Sequence, residues 1–219
     1  IKTDPEIFSN CTDTIVRQVS DIGRMVDEFS SFARMPRANL SLENVSDICR
    51  QVVSLERNRH RTIEYELSMN EGPKGKVMAR CDGRQISRAL TNILKNAAES
   101  VSGRLEESGG RAGTIKTALE DRQTDGERVI TITVEDNGKG LPGENRGRLS
   151  EPYVTTRTDG TGLGLAIVKK IMEDHNGNLI LENIDGDESG ARVKLVFSPE
   201  EEAAKETMKA ATGIPVLGT

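Results

Sequence analysis

The stretch DGTGLGLA, Asp159 to Ala166, places Gly160, Gly162 and Gly164 at alternate positions directly before an apolar run. Glycine lets the backbone come close to a bound group, and the first turn of a helix offers unpaired N–H groups at the positive end of its dipole. Phosphate chemistry fits that description, and so does a glycine turn with only structural work. The string is not the dinucleotide fingerprint, because VTTRTD before it does not read as a buried strand and the spacing is G-x-G-x-G. No G-x-x-x-x-G-K-[ST] phosphate loop occurs in the chain either.

Asp136 is a second candidate. In RVITITVED, Ile130, Ile132 and Val134 lie on one face of a strand and Thr131, Thr133 and Glu135 on the other, with Asp136 in register with the apolar face. Burying a carboxylate without a donor is costly, and a ligand's amino group would serve. Alternatively the strand ends at Glu135 and Asp136 opens a turn with Asn137-Gly138. Asn92 and Asn96 form a third group, four apart on one stripe of a helix whose apolar side is Leu90, Ile93, Leu94, Ala97 and Val101. Amide oxygens are hard ligands suited to Mg2+, which keeps waters and bridges phosphates. A solvated helix face would explain the pair equally well.

Periodicity and turn residues outline the elements that must hold these groups. Residues 5–35 read as a helix with Asp4 as N-cap and Pro5 in the first position. Phe8, Cys11, Ile15, Val19, Ile22, Val26 and Phe29 recur along it at spacings of three and four. At 1.5 Å per residue, roughly 30 residues form a rod of about 45 Å, and Pro36 ends it. So narrow a seam suits a coiled coil or helical bundle, which makes a partner, a second copy included, an expectation. Next come a short strand over 40–45, a helix capped by Ser46 or Asp47 and running to about Arg57, and strands near 62–69 and 76–81. A helix over 83–101 leads into SGRLEESGGRAG, which has a linker's composition. Strands are expected over 114–120 and 128–136, then a long irregular stretch over 137–161. A helix over 162–175 stops at Asn176-Gly177, and strands over 178–184 and 192–197 precede a loose tail.

The bulk composition narrows the function class. With 30 basic against 35 acidic residues and a net charge of -5, the chain lacks the basic footprint of sequence-independent nucleic-acid binding. Cys11, Cys49 and Cys81 are far apart and have no metal-ligand spacing, as expected of reduced intracellular thiols. No apolar run is long enough to span a bilayer. An initial Ile with no signal peptide gives the expectation of a soluble part of a longer protein.

The order of the motifs is more specific than any one of them. NILKNAAES, EDNGKG, EPYVTTR and GTGLGLAIV, in that sequence, resemble the N, G1, F and G2 boxes of the GHKL ATP-binding superfamily over residues 37–198. The resemblance implies a Bergerat fold, an α/β sandwich of a mixed sheet against three helices, with ATP and Mg2+ between the helices and a mobile lid. It implies that Asn96 coordinates the metal, with Asn92 lining the same site. Asp136 would accept from the exocyclic amino group of adenine, and Gly138 and Gly140 would let the base pack against backbone. Gly160, Gly162 and Gly164, with the N–H groups of Leu163 and Leu165, would hold the phosphates, beside Thr156 and Arg157. One departure is Glu99, where many members carry Lys or Arg, leaving Lys95 or Arg157 to offset phosphate charge.

Gyrase-type and Hsp90-type members place a glutamate base where this chain has Asn92, so the resemblance favours transfer over hydrolysis. IFSNCTDTIVRQVSDIGRMVDEFSSFARMP, within residues 1–36, is similar to the second helix of the dimerisation and phosphoacceptor hairpin in nitrogen-regulation sensor kinases of the NtrY type. This implies a protein-histidine kinase catalytic domain over 37–198 with a tail over 199–219, the cytoplasmic part of an inner-membrane-anchored bacterial sensor. It implies as partners the phosphoacceptor helix of the parent kinase and an NtrX-like response regulator. The acceptor motif, like H-E-I-K-N-P, does not occur here, and neither His60 nor His175 has its surroundings. The expectation is ATP binding without autophosphorylation of this chain. The competing expectation is an ATP-binding scaffold without transfer, for which Glu99 speaks.

Overall fold

The computed structural model describes residues 5–70, 75–108, 112–124, 127–143, 146–155, 161–184 and 190–198. Asp4, the tail from 199, and the site candidates Thr156, Arg157 and Gly160 lie outside these residues.

The alternation seen in RVITITVED belongs to the middle of a five-stranded sheet. Its strands are β2 (Ile63–Asn70), β4 (Gly113–Thr124), β5 (Glu127–Asp136), β6 (Asn178–Ile184) and β7 (Gly190–Phe197). They lie in the order β2-β4-β5-β7-β6, with β2 and β4 parallel and the other neighbours antiparallel. A separate antiparallel pair joins β1 (Ser41–Asn44) to β3 (Met78–Cys81). The helices are α1 (Pro5–Ala33), α2 (Val45–Arg59), α3 (Gly83–Ser108) and α4 (Gly164–Asp174).

One face of the sheet carries the core. Ile115, Leu119, Ile130, Ile132, Leu195 and Phe197 are buried there with Leu90, Ile93 and Leu94 of α3 and Ile171 of α4. The other face carries a cross-strand row of alternating sign, Glu66, Lys116, Glu135, Arg192 and Glu182. Arg192 pairs with Glu135 at 2.6 Å and with Glu182 at 3.8 Å. An antiparallel sheet with one face packed and the other solvated produces the period of two seen in the sequence.

Three local expectations need correction. The cap of α2 is Asn44, not Ser46 or Asp47. The Ser46 hydroxyl is buried and accepts from Val77 N–H at 3.0 Å, tying α2 to the chain before β3. α3 runs on to Ser108, through the first part of the expected linker. Leu105 packs against the core and Glu107 pairs with Lys139, and such tertiary contacts outweigh the poor helix propensity of Gly103. The stretch expected to be irregular contains a 3-10 turn, Arg146–Ser150, whose Leu149 is buried.

α1 presents its seam outward: Phe8, Ile15, Val19, Ile22 and Val26 are each 55–65% exposed, so nothing in the described chain covers them. Its C-terminal end, however, is attached. Phe29 stacks on Tyr153, Glu28 accepts from the Thr161 hydroxyl, and Phe32 and Met35 pack at the edge of the core. Gln85 Nε2 donates to Pro36 O at 3.0 Å, and Asn39 N–H donates to Asp82 Oδ2 at 3.0 Å. No described helix is long and apolar enough to cross a membrane.

Cys49 and Cys81 sit in the core, and burial pushes both thiols up to about 12. They therefore pack as small protonated hydrophobes. Cys11 is exposed on α1.

Candidate functional site

Asp136 is the last residue of β5, paired on one side with Ile115 and on the other with Ala191, and only 6% exposed. The carboxylate therefore points into the helix-covered side, and the turn begins only after it. Its Oδ1 accepts the Gly138 N–H at 2.8 Å. That bond fixes the orientation of the carboxylate.

The loop from Asn137 to Leu141 is held on several sides. Asn137 Oδ1 accepts Thr114 N–H at 2.9 Å and its Nδ2 donates to Ala112 O at 2.9 Å, joining the loop to the start of β4. Lys139 N–H donates to the Ser100 hydroxyl of α3 at 3.0 Å. A Cβ on Gly138 would lie 2.2 Å from that same hydroxyl oxygen, so only glycine lets the loop come this close to α3. Gly140 has φ +75, in the left-handed region that favours glycine.

At the other end of the site, Asn92 Nδ2 donates to Gly164 O at 3.4 Å, and a Cβ on Gly164 would lie 3.8 Å from Asn96 Nδ2. The start of α4 thus faces both asparagines, with no side chain at Gly164 between. Leu165 lies in the first turn of α4, where backbone N–H groups lack helical partners. Leu163 is buried, and its N–H points to Thr161 Oγ1 at 3.3 Å. Gly162 has φ +69 and packs on Tyr153, where a Cβ would lie 2.6 Å from that residue's carbonyl carbon.

Asn92, Asn96 and Ser100 follow one another at intervals of four along α3. They form one polar stripe, about 12 Å long at 1.5 Å per residue, from the start of α4 to the loop beside Asp136. The described candidates therefore group along this stripe, with Asn92, Asn96 and Gly164 at one end and Asp136, Gly138 and Gly140 at the other. Leu163 and Gly162 contact Thr161 and Tyr153 just before α4. Sequence reasoning missed Ser100, Asn137 and Asn183, whose partners all come from distant strands or loops. The four-residue interval from Asn96 to Ser100 was the one available signal.

His175 belongs elsewhere. It caps α4 but is 4% exposed, with Nδ1 against Ile171 O at 2.7 Å and Nε2 accepting Asp82 N–H at 2.9 Å. With Nε2 accepting, Nδ1 is the donor, to Ile171 O. Partial burial of Asp82 works against its ionisation, but N–H donation from Asn39, Gln85 and Arg84 outweighs this and holds its carboxyl below the usual range. His175 thus joins the end of α4 to the start of α3. His175→Ala is expected to cost about 2–4 kcal/mol in urea denaturation, from the cavity and the stranded Asp82 N–H. A change under about 0.5 kcal/mol would show that the junction does not depend on it.

Comparison with known proteins gives the same frame. The family model for histidine kinase-, DNA gyrase B-, and HSP90-like ATPases matches residues 81–201. The nitrogen regulation protein NtrY of Azorhizobium caulinodans is 47% identical over 207 residues, which cover 94% of this chain and 26% of that protein. The chain thus spans about a quarter of that relative's length. The catalytic domain of the histidine kinase ThkA superposes with a TM-score of 0.61 at 27% identity, covering 74% of this chain and 96% of that one. Full-length ShkA, solved in complex with AMPPNP, gives 0.66 at 25% identity, covering 91% of this chain and 40% of that one. With more than half of its residues inside the family model, the chain belongs to the histidine kinase-, DNA gyrase B-, and HSP90-like ATPases.

Proposed function

We propose that the chain binds ATP along the polar stripe of α3 and passes its γ-phosphoryl group to a histidine on a separate helix, for relay to a response-regulator aspartate. The observation that carries this reading is the inward carboxylate of Asp136, fixed by Gly138 at one end of a polar stripe whose other end meets the glycine start of α4. Asp136 receives the base, and Gly138 and Gly140 leave room for it. Asn92, Asn96 and the first N–H groups of α4 face the phosphates, and the family resemblance adds Thr156, Arg157 and Gly160 to the phosphate-binding set. Asn96 offers one amide oxygen to Mg2+, whose remaining ligands come from phosphate and water. The metal would offset charge on the transferring group.

Asn92 cannot act as a general base as a carboxylate would, so the chain's own residues position the nucleotide and leave the nucleophile to the acceptor. His175 is unsuited to that role because it is buried with both ring nitrogens engaged. The exposed seam of α1 fits a hairpin partner or a second copy, and an NtrX-like regulator and a place on the cytoplasmic side of the inner membrane follow the likeness to NtrY. A reading as an ATP-binding module without transfer draws on Glu99, an exposed acid one turn from Asn96.

Incubation with Mg-ATP labelled at the γ-phosphate is expected to leave this chain unlabelled and to label a separately supplied phosphoacceptor helix of an NtrY-type kinase, in acid-labile form. Acid-labile label on the chain alone would overturn the separate-acceptor reading. An unlabelled helix despite intact binding of an ATP analogue would favour the module without transfer.

A further inference from the structure

β6 carries a polar residue on its packed side. Asn183 follows Leu179 and Leu181 at intervals of two, so it shares their face of the strand. It is opposite Ala191 on β7, and Ala191 is opposite Asp136 on β5. Asn183 and Asp136 therefore flank a small residue in one cross-strand row, two strand spacings or about 10 Å apart.

The loop Asn137–Leu141 arches across that gap. Asn183 Oδ1 accepts Leu141 N–H at 2.7 Å, and Asn183 Nδ2 donates to Leu141 O at 3.1 Å. One side-chain amide thus satisfies both backbone groups of a loop residue, as a neighbouring strand would. A Cβ on Gly140 would lie 3.2 Å from Asn183 Oδ1 and 3.2 Å from Gly190 O, so the loop sits directly on the amide. At its near end the loop is fixed by Gly138 N–H on Asp136 Oδ1 at 2.8 Å. Only Lys139 and Gly140 lie between the two anchors.

We propose that Asn183 is a positioning residue for nucleotide binding: it holds the loop that Asp136 anchors in the shape in which a base is received. It touches no ligand itself. The effect is preorganisation, since a loop already held in its binding shape loses less freedom when the ligand arrives. The inference rests on the reading of Asp136 as the base acceptor.

The test uses the whole chain as wild type, Asn183→Ala, Asn183→Asp and Asp136→Asn. Binding of a non-hydrolysable ATP analogue with Mg2+ is titrated alongside its displacement by Mg-tripolyphosphate, and hydrogen exchange is followed at the Leu141 amide. Asn183→Ala is expected to weaken the analogue about tenfold, to change the tripolyphosphate constant by less than about twofold, and to speed Leu141 exchange. Asn183→Asp keeps the acceptor for Leu141 N–H and loses the donor to Leu141 O, so it should fall between. Faster Leu141 exchange with unchanged analogue binding overturns the proposal, as does an equal loss for analogue and tripolyphosphate, which marks a general structural defect. Wild-type analogue binding by Asp136→Asn overturns the base-acceptor reading and the proposal with it. Loss in Asp136→Asn but none in either Asn183 variant overturns the proposal alone.

Discussion

Asp136→Asn is expected to weaken binding of a non-hydrolysable ATP analogue by about one to two orders of magnitude while the fold stays intact. The substitution preserves volume and leaves an amide oxygen to accept Gly138 N–H, the 2.8 Å bond that fixes the group. With that oxygen so engaged, the amide nitrogen takes the place of the second carboxylate oxygen. An exocyclic amino group would then meet a donor instead of an acceptor. A hydrogen bond to a charged acceptor contributes about 1.5–3 kcal/mol, and a buried donor facing a donor loses more than the bond alone. Calorimetric titration gives the affinity, and thermal melting shows whether the fold is kept. Affinity within about twofold of wild type, with an unchanged melt, would remove Asp136 from the base site.

What made Asp136 visible in the sequence was the period of two along β5, which carried the inward face two residues past Val134. Asn92 and Asn96 were legible for a similar reason, since their spacing is the helical interval. Both signals are local. Ser100 continues the same stripe, but a serine on a helix carries no message until the backbone of Lys139, 39 residues later, reaches its hydroxyl. Asn137 and Asn183 look like ordinary turn and strand-edge residues. Their partners are Thr114, Ala112 and Leu141, which only the sheet order brings close.

Boundaries diverged where distant groups competed with local preference. Ser46 has the right residue type for a helix cap, but Val77 N–H claims its hydroxyl, and the helix starts one residue earlier. SGRLEES has a linker's composition, but Leu105 finds apolar neighbours and Glu107 finds Lys139, so α3 continues through it. The longer α3 bears on the site, because its added turns stand beside Lys139 and help hold the loop next to Asp136. His175 was expected at the end of a helix and stands there. Its burial follows from Asp82, a partner 93 residues earlier.

Gly190→Ala is expected to cost about 2–4 kcal/mol of stability and to weaken analogue binding at least as much as Asp136→Asn does. Gly190 opens β7 opposite Ile184, where the backbone of β5 passes directly over it. A Cβ there would lie 1.9 Å from Asp136 O, 3.0 Å from its carbonyl carbon and 3.2 Å from Asn137 Cα. All three atoms are backbone, so no rotamer change relieves the contact. The strands must part at the register that pairs Asp136 with Ala191, and the loop anchored by Asp136 and Asn183 must shift with them. Stability and affinity are thus coupled at this position, whereas Asp136→Asn touches affinity alone. Gly143→Ala is the control: among the described residues nothing lies within 4 Å of a Cβ there, and a change under about 0.5 kcal/mol is expected. Urea denaturation and calorimetric titration of the two alanine variants separate these outcomes. A Gly190→Ala chain as stable as wild type would mean that β7 can move aside freely, and that its close approach does not shape the ground on which Asp136 stands.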